Sequence, residues 1–230
     1  MLVLGMDSAT SACSAAVVQD GNVLAQEFTE MARGHAEALV PVIKRVLEAA
    51  GCSVGDLDLI AATVGPGAYT GVRIGLSTAQ TMSLAATVPL LGVTTLEAVA
   101  RAAQDGSGNA LLVLMDTKRA DFYAQAFDGW GTALGEPAAL TAAELLVAFP
   151  SADLRLAGDA AERAAVVFRE VGRAVELLDA PGMPDSAWVA RIGRERATKA
   201  RVGAATPLYR RTRLSKPSSV LAKIYRRRSQ

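Results

Sequence analysis

An apolar run that ends on an aspartate occurs twice in this chain. Residues 2–6 lead into Asp7, and residues 110–115 lead into Asp116. Each run has the length of a strand. Each is followed by a short polar turn and a second apolar run, at 12–18 in the first case and 122–127 in the second. Recurrence of this local pattern about halfway along 230 residues predicts an internal duplication. Asp20-Gly21 is a two-residue hairpin signal, so residues 22–29 return as a third antiparallel strand. A helix follows over 35–50, because Ala36, Leu39, Val40, Ile43, Val46, Leu47 and Ala50 recur at the spacing of one helical face and Gly51 stops it.

Residues 57–64 read as a buried strand, 65–71 as a glycine-rich turn, 72–86 as a second helix, 90–93 as a short strand and 95–103 as a third helix. The order βββαβαβα predicts an α/β layer fold, a mixed sheet with helices on both faces and a ribonuclease-H-like core. The second half restates it in shorter, weaker form. Helices are expected near 141–148 and 159–171, strands near 154–157 and 175–178, and a final helix near 185–200. This predicts a first lobe over 1–97, a smaller, degenerate second lobe over 98–214 and a basic tail over 215–230.

Composition excludes several function classes. At 51% hydrophobic and 20% charged the chain can bury a sizeable core. The only histidine is His35, so no site with two histidine ligands can be built within one chain. Cys13 and Cys52 are too few and too far apart in sequence for a cysteine-rich zinc site or a disulfide framework. The net charge of +1 hides an asymmetry: no acidic residue follows Glu195, while 11 of the 24 basic residues do. Residues 1–195 therefore carry a balance of −10. An acidic body with a basic tail points to a polyanion partner or to self-docking of the tail, and a solvated terminus is the plain alternative. The first six residues are too short for a signal segment and meet Asp7 at once. The 23 uncharged residues between Arg73 and Glu97 have the length of a membrane span. Ser77, Thr78, Gln80, Thr81, Ser83 and Pro89 interrupt them, so the span is rejected and a soluble, cytoplasmic protein is expected.

Four places are candidates for chemistry. Asp7-Ser8-Ala9-Thr10-Ser11 can set backbone and hydroxyl donors on a phosphate, and an ordinary hairpin turn explains it as well. The 65–71 loop, with Gly65, Gly67, Thr70 and Gly71, can aim N–H groups and a helix dipole at an anion. It is neither a Walker A loop nor a G-x-G-x-x-G motif, and its glycines serve a tight turn or close packing equally well. The helix over 72–86 has no charge after Arg73, and its polar positions are small, so a second polypeptide is expected to cover its outer side. Cover by the chain's own C-terminal segment is the alternative. His35 beside Gly34 reads as a cap or packed surface residue rather than part of a hydrolytic triad. Asp116, Lys118, Arg119, Asp121 and Tyr123 read as an acid–base set or, equally, as a charged hairpin turn.

Taken together these strings resemble the TsaB family, the dimerization subunit of the bacterial tRNA threonylcarbamoyladenosine synthase. The resemblance rests on Gly5-Met6-Asp7-Ser8-Ala9-Thr10, on Gly34-His35-Ala36-Glu37-Ala38-Leu39-Val40-Pro41, and above all on Gly65-Pro66-Gly67-Ala68-Tyr69-Thr70-Gly71-Val72-Arg73-Ile74-Gly75. Asp116-Thr117-Lys118-Arg119-Ala120-Asp121-Phe122-Tyr123 and Pro207-Leu208-Tyr209-Arg210-Arg211 are similar to two further signatures of that family. The resemblance implies an actin-like ATPase fold in two lobes and a non-catalytic paralogue of the transferase subunit TsaD, which holds a metal through a histidine pair. One histidine cannot supply that pair. The second phosphate loop of actin-like ATPases has glycines after its aspartate, whereas Asp116 is followed by Thr117-Lys118-Arg119.

The resemblance implies a scaffold with no catalytic or metal-binding residue and no cofactor of its own, ATP or ADP being met at a complex interface. Its partners would be TsaD, the TsaE ATPase, a second copy of itself, and tRNA through the complex, but no membrane. The interface is expected at His35, Leu39, Ile43, Arg73, Leu76, Ala79, Gln80 and Ser83, and the candidate phosphate loops at Asp7, Ser8, Thr10, Ser11, Gly65, Gly67, Thr70 and Gly71. The alternatives are an autonomous actin-like ATPase or kinase, a glycoprotease-type peptidase, and a tRNA-binding module acting through residues 196–228.

Overall fold

A computed structural model describes residues 1–104, 106, 109–150 and 154–199. The basic tail, the Pro207-Leu208-Tyr209-Arg210-Arg211 string and the last residue of the expected final helix lie outside the described residues. Strands β1 (Leu2–Asp7), β2 (Ala12–Gln19) and β3 (Asn22–Glu30) form the expected antiparallel meander. Its hairpin turns on Asp20 and Gly21, both at positive φ (49° and 92°), the backbone that an Asp-Gly pair supplies. Strands β4 (Leu59–Thr63) and β5 (Leu90–Val93) add in parallel beside β1, giving the order β3-β2-β1-β4-β5.

The crossovers are helices α1 (His35–Ala50) and α2 (Tyr69–Ala86). Alternation along β1 assigns the two faces of this sheet. Leu4 and Met6 join the cluster that holds Leu39, Ile43 and Val46 of α1 with Val72, Leu76 and Ala79 of α2. Val3 points the other way, into a cluster with Ala187, Val189, Ala190 and Ile192. Helix α2 begins at Tyr69, earlier than residue 72. Gly71 reads as loop in the sequence but sits in the first helical turn, where a Cβ would come within 2.1 Å of the Ser8 carbonyl oxygen.

After α3 (Thr95–Ala102) a second sheet forms from β6 (Leu111–Asp116), β7 (Phe122–Phe127), β8 (Ala138–Leu140), β9 (Leu154–Ala157) and β10 (Val175–Leu177). Its order, β10-β9-β6-β7-β8, matches the first sheet strand for strand. Helices α4 (Ala142–Ala148) and α5 (Ala161–Glu170) occupy the places of α1 and α2. The second copy is thus shorter in its strands, but its topology is whole. Strand β8, only three residues long, carries no sequence signal.

One expectation gives way. Helix α6 (Ser186–Lys199) was placed with the second lobe, but it belongs to the unit formed by residues 1–98. It packs on β1, β2 and β4 at very close range. A Cβ on Gly5 would come within 2.1 Å of the Ser186 carbonyl oxygen, and one on Gly193 within 2.7 Å of the Ala61 methyl. Residues 99–182 make the second unit, with a core built on Leu112, Leu114, Phe122, Phe149 and Phe168. No helix among the described residues is long and apolar enough to cross a membrane.

Candidate functional site

The two candidate phosphate loops meet, and they close on each other. The Ser8 hydroxyl donates to the Gly71 carbonyl at 2.9 Å, and the Ala68 N–H donates to the Ala9 carbonyl at 2.8 Å. A Cβ on Gly67 would stand 2.3 Å from that same Ala9 oxygen, so glycine here serves close packing. Asp7 and Ser8 are fully buried and Thr10 nearly so, while Ser11 is half-buried and Thr70 exposed. His35 Nε2 donates to the Thr10 carbonyl at 2.9 Å and pins the loop to the start of α1. The only histidine is therefore a positioning group for this loop.

Asp7 Oδ1 accepts from the Thr63 hydroxyl at 2.5 Å and from the Ala9 N–H at 3.1 Å, while Oδ2 has no hydrogen-bond partner. Burial pushes the Asp7 carboxyl up to about 6; hydrogen bonding by Thr63, Ala9 and Thr10 opposes the shift without cancelling it. A carboxyl this deep cannot reach a hydrated cation or a phosphate unless the 65–71 loop moves, so this loop pair does not fit a nucleotide as it stands. The raised value has a stability consequence. The native state holds the proton more tightly than the unfolded chain, so stability falls as pH rises from the ordinary value of 3.8 through about 6. Asp7→Asn keeps the acceptor for Thr63 and Ala9 but carries no charge. It is expected to be more stable than the natural chain near neutral pH, by up to about 3 kcal/mol. That advantage should shrink below the ordinary carboxyl range, and urea melts of both proteins across that window check it.

In the second unit, the turn after Asp116 is a locked, charge-compensated hairpin. Lys118 holds a left-handed backbone (φ 61°), and its N–H donates to Asp116 Oδ1 at 2.9 Å. Arg163 stacks on the Phe122 ring at 3.9 Å and donates to the Asp121 carbonyl at 2.9 Å. Asp159 accepts the Asp116 N–H at 2.7 Å, and burial raises its carboxyl. These charges hold the turn together, which favours the hairpin reading over an acid–base set.

The open surface of the first unit lies on α1 and α2. The outer side of α2 carries Tyr69, Arg73, Ser77, Gln80, Thr81 and Leu84. Leu84 is 82% exposed, Tyr69 58%, and Val40 of α1 57%. The Arg73 guanidinium stacks on the Tyr69 ring at 3.8 Å, leaving the rest of the helix without charge. Between the two helices runs a groove of about 800 Å³, walled by Val40, Ile43, Leu47, Cys52, Val54 and Met82. Its α2 rim is made of Ser77, Thr78 and Thr81, short enough for a second helix to come close.

Comparison with known proteins agrees with these features. The model of the TsaD family, described as tRNA N6-adenosine threonylcarbamoyltransferase, matches residues 22–191. The chain belongs to that family. Within it, the chain is 37% identical over 124 residues to the tRNA threonylcarbamoyladenosine biosynthesis protein TsaB of Escherichia coli, covering 54% of this chain and 53% of that protein. The match thus spans about half the length of that curated relative. The solved structure of YeaZ from Pseudomonas aeruginosa superposes with a TM-score of 0.76 at 26% identity, over 91% of this chain and 99% of that one. The resemblance to TsaB read from the 65–75 string is met by these matches. A hexokinase of the ROK type from Thermus thermophilus, at 15% identity and TM-score 0.51 over 86% of this chain and all of that one, shares the fold alone. The actin-like ATPase architecture expected from the sequence is therefore the one observed.

Set on this TsaD-family framework, the expected interface residues divide. Arg73 and Gln80 are exposed. Ser83 is half-buried and its hydroxyl donates to the Val88 carbonyl at 2.6 Å; His35 is half-buried on Thr10. Leu39, Ile43, Leu76 and Ala79 are a correction. They are 0–3% exposed and pack on their own sheet, and only Ile43 reaches the groove, as its floor. The outward residues Val40, Tyr69 and Leu84 were missed. Leu84 continues the outward row of Ser77, Gln80 and Thr81, a helical spacing legible once the inner stripe is fixed.

Proposed function

We propose that the chain is a non-catalytic partner subunit in threonylcarbamoyl transfer to the adenosine next to the tRNA anticodon. In this reading it binds a TsaD transferase subunit and supports the TsaE ATPase. The observation that carries the reading is the outer side of α2 with its groove: apolar or uncharged past Arg73, and exposed at Leu84 and Val40. A specific interface buries about 1,600 Å² in total, an area that two such helices and their counterparts on a partner supply. The same face can pair two copies when the transferase is absent, because a self-complementary patch forms an isologous dimer.

The name of the Escherichia coli relative supports a role in threonylcarbamoyladenosine biosynthesis, and the family description supports tRNA as the substrate of the whole complex. The commitment of His35 to the Thr10 carbonyl supports an accessory rather than a catalytic part. Any ATP or ADP is assigned to a shared junction, because Asp7 and Ser8 are out of reach within this chain. Work on tRNA places the protein in the cytoplasm. Reconstitution tests the reading. Transferase subunit, TsaE and tRNA are expected to yield modified adenosine only when this chain is added, and the chain alone is expected not to turn over ATP with magnesium. Modification without the chain, or ATP turnover by the chain alone, would sink it.

A further inference from the structure

The groove between α1 and α2 has a candidate occupant within the same polypeptide. Outside the described residues, the sequence runs Pro217-Ser218-Ser219-Val220-Leu221-Ala222-Lys223-Ile224-Tyr225-Arg226-Arg227-Arg228. Val220, Leu221, Ile224 and Tyr225 fall at i, i+1, i+4 and i+5, the spacing of one helical stripe. Ser219 is a good N-cap, and the three arginines suit a helix C-terminus. A helix this short is marginal in water, so it needs an apolar surface to form.

We propose that residues 219–228 dock as an amphipathic helix in the α1–α2 groove of their own chain and are displaced when a partner takes that face. Only the displacement rests on the function proposed above; the docking does not. Three observations favour this occupant. The groove is apolar along Val40, Leu47 and Met82, and its α2 rim has small side chains, which matches an apolar stripe of four residues. The linker is long enough: 20 residues lie between Lys199, where α6 ends, and Val220. Extended, such a stretch spans roughly 66 Å, against a diameter of about 36 Å for a unit of this size. Charge also draws the two together, since residues 1–195 carry −10 and every charged residue from 196 onward is basic. A flexible tether sets an effective concentration of order millimolar, so weak intrinsic affinity holds the segment in place. A full-size partner interface then outcompetes it.

The groove contains its own reporter. Cys52 lines it, and the other cysteine, Cys13, is fully buried. Alkylation of Cys52 by iodoacetamide is compared in the full-length chain and in its Leu221→Glu/Ile224→Glu variant, both diluted and without any partner protein. A docked population of about 80% slows the reaction about fivefold, so the variant is expected to react that much faster. A synthetic peptide of residues 215–230, added in excess, is expected to restore slow alkylation of the variant. Equal rates in the two chains overturn the proposal. Protection that grows with protein concentration and ignores the substitutions also overturns it, because a second copy is then the occupant. Since no transferase is present, loss of the transferase interaction leaves this rate ratio untouched, and the two readings fail separately.

Discussion

Replacing Leu84 with glutamate is expected to abolish association with a TsaD-type transferase subunit while leaving the chain as stable as before. At 82% exposure this side chain contributes almost nothing to its own fold, so a charge there should move stability by no more than about 0.5 kcal/mol. In a closed interface the same carboxylate is desolvated against apolar neighbours with no cation beside it, which costs about 3–5 kcal/mol. The expected loss of affinity is therefore at least about a hundredfold. Calorimetric titration against the transferase subunit, paired with a urea melt, reads both numbers. Unchanged affinity in a folded variant would remove α2 from the interface.

Ala79→Glu makes the opposite prediction from the same helix. Ala79 is 0% exposed, in the cluster with Leu4, Met6 and Val72, and no cation belongs to that cluster. A carboxylate forced into that space is an unpaired buried charge as well as an overpacked side chain, and the two together are expected to cost more than about 4 kcal/mol. That is a large part of the stability of an ordinary domain, so the variant should be unfolded or aggregated at room temperature. Circular dichroism and thermal melting check it. Wild-type melting would show that α2 does not pack on the first sheet through this side. Leu76→Glu belongs with Ala79→Glu, since Leu76 is 3% exposed, and loss of binding in either variant reports unfolding rather than contact.

The contrast between these positions shows what the sequence could reveal. The meander and α1 are legible because their signals are local: an Asp-Gly turn, an apolar stripe from Leu39 to Leu47, and Gly51 as a left-handed stop. The absence of charge on α2 is legible too, but it also conceals the phase of the helix. With no charged face to mark the outside, Leu76 and Leu84 look alike, and only the packed sheet tells them apart. Glycine misled in a similar way. Gly71 signals a loop in one dimension, whereas its role is to let α2 start against the Ser8 carbonyl. Helix α6 was assigned to the wrong unit because its reason for returning, the close approach at Gly5 and Gly193, links residues far apart in the chain. Asp7 was correctly singled out as unusual, but the closure of the 65–71 loop over it is a tertiary event that spacing does not encode.

The central claim is that another polypeptide covers α1 and α2 when the protein works. Amide hydrogen exchange of the full-length chain, with and without the transferase subunit, tests it most directly. Slower exchange is predicted across His35–Ala50 and Tyr69–Ala86, with Ala161–Glu170 unchanged. Exchange slowed only in other segments, or nowhere, would contradict the account.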